Sequence, residues 1–337
     1  MSLLEITDLT VGFDTEDGHV QAVRGISLTL GEGEILALCG ESGCGKSVTA
    51  MSVPRLLPPG TTRLSGSVKL DGRELTTLPE REMRQVRGKD VSVVFQEPMT
   101  SLNPSFTVGY QITEVLRRHE RLSRQAANGR AVELLELVGI PAPRRRMKEY
   151  PHQLSGGMRQ RVMIAIAVAC SPRVLIADEP TTALDVTIQA GVLDVFRDLR
   201  DRLGTAVILI THDLGVVADI ADRAVVMYAG RAVEQAPVTE LFAHPRHPYT
   251  LGLMNALPSA AVDGRLAEIP GMVPSPLTDP DECSFQARCQ RAQDDCRAAR
   301  PPLERHAAGH LAACFHPCGD APHTPNDGED PPRGGNR

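Results

Sequence analysis

Short apolar runs alternate with amphipathic stretches over roughly the first 240 residues, the pattern of an α/β protein built on buried parallel strands. Runs at 34–38, 91–95, 174–177, 206–210 and 224–227 are rich in Val, Ile and Leu and bounded by turn residues or charges. Strands covered on both faces read in this way, as near-continuous apolar segments. The stretch 186–203 instead spaces Ile188, Val192, Phe196, Leu199 and Leu203 at intervals of three and four, which is one face of a helix. Residues 3–30 predict antiparallel strands joined by the polar turn DTEDGH. Helical patterns such as 126–138, with few strand signals around them, predict a helical insertion over about 98–165. After Pro245 the composition turns to Pro, Ala and Arg, with loop signals in PGMVPSPLTDP. The last 19 residues, from Gly319, are polar and Pro/Gly-rich and are expected to be disordered.

Composition narrows the classes of function. A chain of 337 residues with 42% hydrophobic content can bury one large core or two ordinary ones. With 36 basic and 42 acidic residues the net charge is −6, which argues against broad attraction to nucleic acid. No stretch approaches the ~18–20 apolar residues that cross a bilayer. The longest apolar run, 162–170, has nine. The opening MSLLEITDLT lacks the basic and apolar regions of a signal peptide, so membrane association is expected to run through a partner. Three cysteines, Cys39, Cys44 and Cys170, lie in the first 170 residues, whereas Cys283, Cys289, Cys296, Cys314 and Cys318 crowd the end. A cytosolic chain is not expected to use structural disulfides, so this group reads as a metal or cluster site.

The chemistry starts at GESGCGKS. Gly40, Glu41, Ser42, Gly43, Cys44, Gly45, Lys46 and Ser47 fit G-x-x-x-x-G-K-[ST], between an apolar strand and a helix-compatible segment. Glycines permit a tight loop whose N–H groups converge on phosphate oxygens, and the helix N-terminus adds partial positive charge. In such a loop Lys46 reaches the β- and γ-phosphates and Ser47 ligates Mg²⁺. The apolar strand at 174–177 ends in Asp178 and Glu179. One strand-end acid can hold Mg²⁺ through its water shell, and its neighbour can orient or deprotonate an attacking water. A third element, LSGGMRQ at 154–160, opens a helix with Ser155, Gly156 and Gly157, a second anion-attracting N-terminus. Two glycines there argue against a capping role alone for Ser155. With no internal repeat, the chain carries one nucleotide-binding unit.

Together these motifs resemble the ATPases of ABC transporters, over roughly residues 3–240. The resemblance implies a P-loop fold of ABC type with an antiparallel β subdomain, a helical subdomain and a small Cys-rich C-terminal extension. It also implies a dimer in which the LSGGM signature of one subunit closes over ATP held by the phosphate loop of the other. Gln96, after VSVVF, matches the loop that senses the γ-phosphate and touches the membrane subunit, and is placed with Ser47 and Asp178 around Mg²⁺. Asp185 in TTALD matches the loop communicating across the dimer, and His212 in LITHD the switch histidine. Phe13 sits where the family places an aromatic against adenine. Glu179, His212 and Gln96 are thus the expected catalytic group.

Three stretches resemble the subfamily serving dipeptide, oligopeptide or nickel importers: QEPMTSLNPSFTVGYQI, HPYT at 247–250, and C-x5-C-x6-C-x17-C. TTALDVTIQA with GESGCGKSVTA is similar to the first of that subfamily's two ATPase subunits. The implied partners are a second, different ATPase subunit, two transmembrane permeases and, indirectly, an extracytoplasmic solute-binding protein. The chain would then sit peripherally on the cytoplasmic face of the membrane. Nickel or another small solute is the alternative cargo, and a soluble ABC ATPase without membrane partners the alternative class. Cys283, Cys289, Cys296 and Cys314 supply four thiolates, enough for a [4Fe–4S] cluster or a tetrahedral Zn²⁺. The resemblance favours iron–sulfur, and Cys318 has no assigned place. The expected division is an ATPase domain over 1–245, an extension over 246–318 and a tail over 319–337.

Overall fold

The computed structural model describes residues 2–16, 18–182, 185–257, 268–275, 277 and 281–319. The expected disorder from Gly319 onward therefore lies almost wholly outside the described residues. Two sheets carry the fold. The smaller is antiparallel and comprises β1 (Ser2–Thr15), β2 (Gly18–Gly31), β4 (Thr62–Leu70) and β5 (Arg73–Glu74), in the order β2-β1-β4-β5. The larger comprises β3 (Ile35–Cys39), β6 (Val91–Val94), β7 (Val174–Asp178), β8 (Ala206–Thr211), β9 (Arg223–Tyr228), β10 (Arg231–Pro237), β11 (Glu304–Ala307) and β12 (His310–Ala312). Its order is β11-β12-β10-β9-β3-β8-β7-β6. Its β3, β6, β7, β8 and β9 pair in parallel, and β10, β11 and β12 extend one edge antiparallel.

Five parallel strands fall within a residue of the apolar runs because both of their faces are buried. Side chains alternate between faces with a period of two. On β7 and β8, Leu175, Ala177, Val207 and Leu209 join the core beneath the helices. Their neighbours Val174, Ile176, Ile208 and Ile210 join the core against the antiparallel sheet. Each such Val, Leu or Ile side chain, fully buried, contributes about 1.5–3 kcal/mol.

The α-helices number twelve among the described residues. They are α1 (Lys46–Ser52), α2 (Glu80–Val86), α3 (Pro98–Ser101), α4 (Val108–His119), α5 (Arg124–Leu137), α6 (Pro143–Arg146), α7 (Gly156–Ala167), α8 (Val186–Leu203), α9 (Leu214–Ile220), α10 (Val238–Ala243), α11 (Pro248–Asn255) and α12 (Asp294–Ala298). Between β6 and β7 the described chain is helical, from α3 to α7. Val108, Ile112 and Leu116 of α4 pack there with Leu134 and Leu135 of α5 and Val162 of α7. On the face bearing Ala37, Cys39, Val226 and Tyr228, the chain beyond α10 closes a third core through Tyr249, Met254 and Phe285.

The antiparallel edge is where the C-terminal chain rejoins the large sheet. Strand β12 pairs with β10 through Glu234↔Ala312 and Gln235↔Leu311. Glu234 is fully buried, and its carboxylate accepts from the backbone N–H of Arg246 (2.6 Å) and His247 (2.9 Å) and contacts His310 Nε2 at 2.7 Å. A buried carboxylate is tolerable only when paired and hydrogen-bonded in this way. Burial pushes the His247 imidazole down to about 4, so it is neutral, and its Nδ1 accepts the N–H of Tyr249 to cap α11.

Candidate nucleotide site

Every group of the site hangs from the C-terminal ends of β3, β6, β7 and β8, where an open α/β sheet places its ligands. After β3 the chain turns through the phosphate loop into α1. Gly40 (φ 144°) and Gly45 (φ 98°) lie in the region that favours glycine, and each also meets backbone. A Cβ on Gly40 would lie 2.2 Å from the Met227 carbonyl oxygen, and one on Gly45 would lie 2.5 Å from that of Ala22. The Lys46 ammonium is buried and folds back over the loop, donating to the carbonyls of Gly40 (2.7 Å) and Glu41 (2.9 Å). Ser42 and Gly43 border a pocket shared with Gln21, Ala22 and Gly230. Cys44 points into the protein, and burial pushes its thiol up.

Ser47 Oγ donates to Asp178 Oδ1 at 2.9 Å, which joins the loop to the end of β7 across 131 residues. Burial raises the Asp178 pKa and the Glu179 charge adds to it, while the Ser47 hydrogen bond opposes the shift. Two acids crowded beside a hydroxyl form an oxygen-only donor set, which suits Mg²⁺. A divalent cation there would relieve the unfavourable charge on Asp178.

Glu179 adopts φ 46°, an unusual value for a residue with a side chain, and its N–H donates to the Ile210 carbonyl at 3.0 Å. Such backbone costs of order 1–3 kcal/mol and persists where its surroundings impose it. The turn aims the carboxylate at three partners. Oε2 accepts from Gln96 Nε2 (2.9 Å) and from Thr182 Oγ1 (3.0 Å), and Oε1 lies 3.3 Å from His212 Nδ1. Gln96, Glu179 and His212, separated by up to 116 residues, therefore meet at one carboxylate. Thr182 completes the group; it lies in TTALD, but nothing in that motif singles it out.

The remaining predicted residues lie elsewhere. Ser155 is the N-cap of α7 and accepts the Met158 N–H at 3.4 Å, so it does cap, although two glycines follow. The glycines divide the work that argued against a cap. A Cβ on Gly157 would lie 2.6 Å from Ile188 Cγ2, so it packs α7 on α8, while Gly156 faces open space. Asp185 caps α8, its carboxylate accepting the Ile188 N–H at 2.9 Å, a local task worth about 1 kcal/mol. The neighbouring Ala183 and Leu184 of TTALD lie outside the described residues. Phe13 is half-buried on β1, opposite Val20 and Thr62, and packs in the same core as Val48 of α1.

Cys283, Cys289, Cys296 and Cys314 line a common pocket, and Cys318 is buried nearby. Burial pushes the Cys314 thiol up to about 12 and the Cys318 thiol up to about 11.

A glycine-cradled lysine, a serine–aspartate pair and a strand-end glutamate held by glutamine and histidine define a nucleotide-hydrolysing P-loop protein of cassette type. Comparison with known proteins identifies the family: this chain belongs to the ATP-binding subunits of ABC transporters and is an ATPase. The family model "ABC transporter" matches residues 23–182, and "Oligopeptide/dipeptide transporter, C-terminal region" matches residues 233–296. The chain is 54% identical to the probable peptide ABC transporter ATP-binding protein y4tR of Sinorhizobium fredii, over 93% of this chain and 94% of that protein. It is 50% identical to the oligopeptide transport ATP-binding protein OppD of Bacillus subtilis, over 95% and 90%. Among solved structures, the dimeric bacterial ABC transporter cassette MJ0796 superposes with a TM-score of 0.63 at 27% identity, covering 70% of this chain and 98% of that one.

Proposed function

We propose that the chain is the ATPase of a peptide importer and that the carboxylate of Glu179 is its general base. The convergence of Gln96, Thr182 and His212 on that carboxylate is the observation that carries the catalytic part. Three contacts fix the rotamer of a group that must accept a proton from water, and holding it in place lowers the barrier. Lys46 and the loop N–H groups would bind the β- and γ-phosphates once Lys46 leaves the Gly40 and Glu41 carbonyls. Mg²⁺, held by Ser47 and Asp178 with Gln96 beside them, would offset the charge of the transferred phosphoryl group. Phe13 would stack on adenine, and Ser155, Gly156 and Gly157 would close over the ATP held by a partner subunit. Asp185 would communicate across that dimer from the start of α8.

The peptide cargo is supported by relatives named for peptide transport that match more than nine-tenths of the chain. Among the described residues no helix is long and apolar enough to cross a membrane, so permease partners would hold the chain at the cytoplasmic face. The reading includes a different ATPase subunit as dimer partner, with an extracytoplasmic binding protein delivering peptide. Reconstituted with its permeases and that partner, the chain is expected to drive ATP-dependent uptake of labelled di- or oligopeptides. ATP turnover without peptide uptake, and without stimulation by peptide-loaded binding protein, would overturn the cargo assignment.

In this importer subunit the ATPase domain spans 1–245, including a helical subdomain at about 98–165, and an extension spans 246–318. A [4Fe–4S] cluster on Cys283, Cys289, Cys296 and Cys314 belongs to that extension. A single Zn²⁺ would draw four thiolates to within about 3.8 Å of one another, from a tetrahedron of about 2.3 Å bonds. Among the described residues the compact ligand group, all within 4.8 Å, is Asp295, Cys296 and His316, with one thiol. Four thiols lining a common pocket would offer a larger cluster its four ligands, and binding it would add folding energy to the extension. Anaerobically purified protein is expected to be coloured and to carry about four iron atoms per chain. Colourless protein with one zinc would refute the assignment.

A further inference from the structure

Every polar group of Glu41 in the phosphate loop has a partner, and its carboxylate and N–H are held from outside the loop. Its carboxylate forms a two-pronged pair with Arg288, Oε2 to Nη1 at 2.7 Å and Oε1 to Nη2 at 2.9 Å. Its N–H donates to the Tyr249 hydroxyl at 2.8 Å, and its carbonyl accepts from Lys46 at 2.9 Å. The Arg288 side chain is 5% exposed and that of Glu41 28%. Arg288 is itself fixed: it donates to the carbonyls of Pro270 (2.9 Å) and Ile269 (3.1 Å) and lies over the rings of Tyr228 and Phe285. Those rings pack with Tyr249 at centroid distances of 4.7–5.4 Å. Arg288 sits in the turn between Cys283 and Cys289, 247 residues from Glu41.

This arrangement has an electrostatic and a mechanical consequence. An unpaired carboxylate in a phosphate loop would repel the phosphates it surrounds, and a planar guanidinium gripping both oxygens removes that charge. The Tyr249 hydroxyl takes the Glu41 N–H and fixes the peptide whose carbonyl holds Lys46. We propose that Arg288, with Tyr249, is a latch on the phosphate loop: a positioning residue through which the cysteine-bearing turn sets the affinity for ATP. The proposal rests on the nucleotide-site reading above, and it makes disturbance of the Cys283–Cys289 turn a route for regulating that site. Arg288 is buried and acts through Glu41, so its effect falls on binding and on KM more than on kcat.

The test is a double-mutant cycle in the full chain, read by equilibrium binding of a fluorescent ATP analogue. Arg288→Met is expected to weaken binding about tenfold, and Glu41→Gln to weaken it less because it also removes the exposed charge. In the Glu41→Gln background, Arg288→Met is expected to change affinity by less than about twofold. Backbone amides of the loop are expected to exchange faster in Arg288→Met without nucleotide. Unchanged affinity in Arg288→Met, or equal losses in both backgrounds, would overturn the latch. If Arg288→Met does not fold, Arg288→Lys, which keeps the charge but loses the fork, carries the test with an expected loss of about threefold; native affinity would overturn the latch. A native chain that binds no nucleotide would sink the nucleotide-site reading instead, so the two failures are distinct.

Discussion

Glu179→Gln is expected to lower ATP turnover by about 10²–10⁴-fold while ATP affinity stays within about twofold of the native chain. The amide is nearly the same size as the carboxylate, so the turn at φ 46° and the packing around it are retained. What disappears is an acceptor able to take a proton from water, together with one negative charge at the end of β7. Gln96 and Thr182 still find an oxygen to donate to, which is why binding survives. Steady-state turnover in the reconstituted complex, set beside equilibrium binding, separates the two effects. Undiminished turnover would refute the assignment of the base.

Lys46→Ala is expected to have the opposite profile, weakening ATP binding about 100-fold and with it all turnover at ordinary nucleotide concentrations. Lys46 donates to two loop carbonyls, and truncation removes that donor from both, leaving the Glu41 carbonyl only the Cys44 N–H at 3.4 Å. With nucleotide the same ammonium would face the β- and γ-phosphates, and no other cationic side chain lies in the 40–47 loop. Titration with ATP in the presence of Mg²⁺ measures the loss, and native affinity would remove Lys46 from the site.

The parts of this design legible in the sequence are those whose chemistry lies within one short window. The 40–47 loop has its glycines, lysine and serine in register, and the parallel strands need only four to six consecutive apolar residues. Asp178 and Glu179 were recognisable because a buried strand ends on two acids. Less was legible where function depends on distant chain. Strand β10 contains Arg231, Glu234 and Gln235, so it does not look buried until His310 and the Arg246 and His247 amides arrive to satisfy Glu234. Strand β4 shows a buried alternation only at Val68 and Leu70, too short a run to read. HPYT resembles a family tag, but its histidine caps a helix and its tyrosine holds Glu41. Arg288 carries no local signal, since it is one arginine in an Arg-rich stretch.

The return of the chain to the large sheet at β12 has a consequence for biogenesis. Strand β10 can be made and paired with β9 while about 70 residues still separate it from the strand that covers its other edge. During that interval its unpaired N–H and C=O groups form an open template for another chain, and the Glu234 carboxylate lacks the imidazole of His310. Closure requires a contact between distant positions, which is slow relative to helix formation. The nascent protein is therefore most vulnerable to aggregation after the proposed catalytic residues, the last of them His212, have all been synthesised. Chaperone engagement would be needed most in the window between residues 237 and 310.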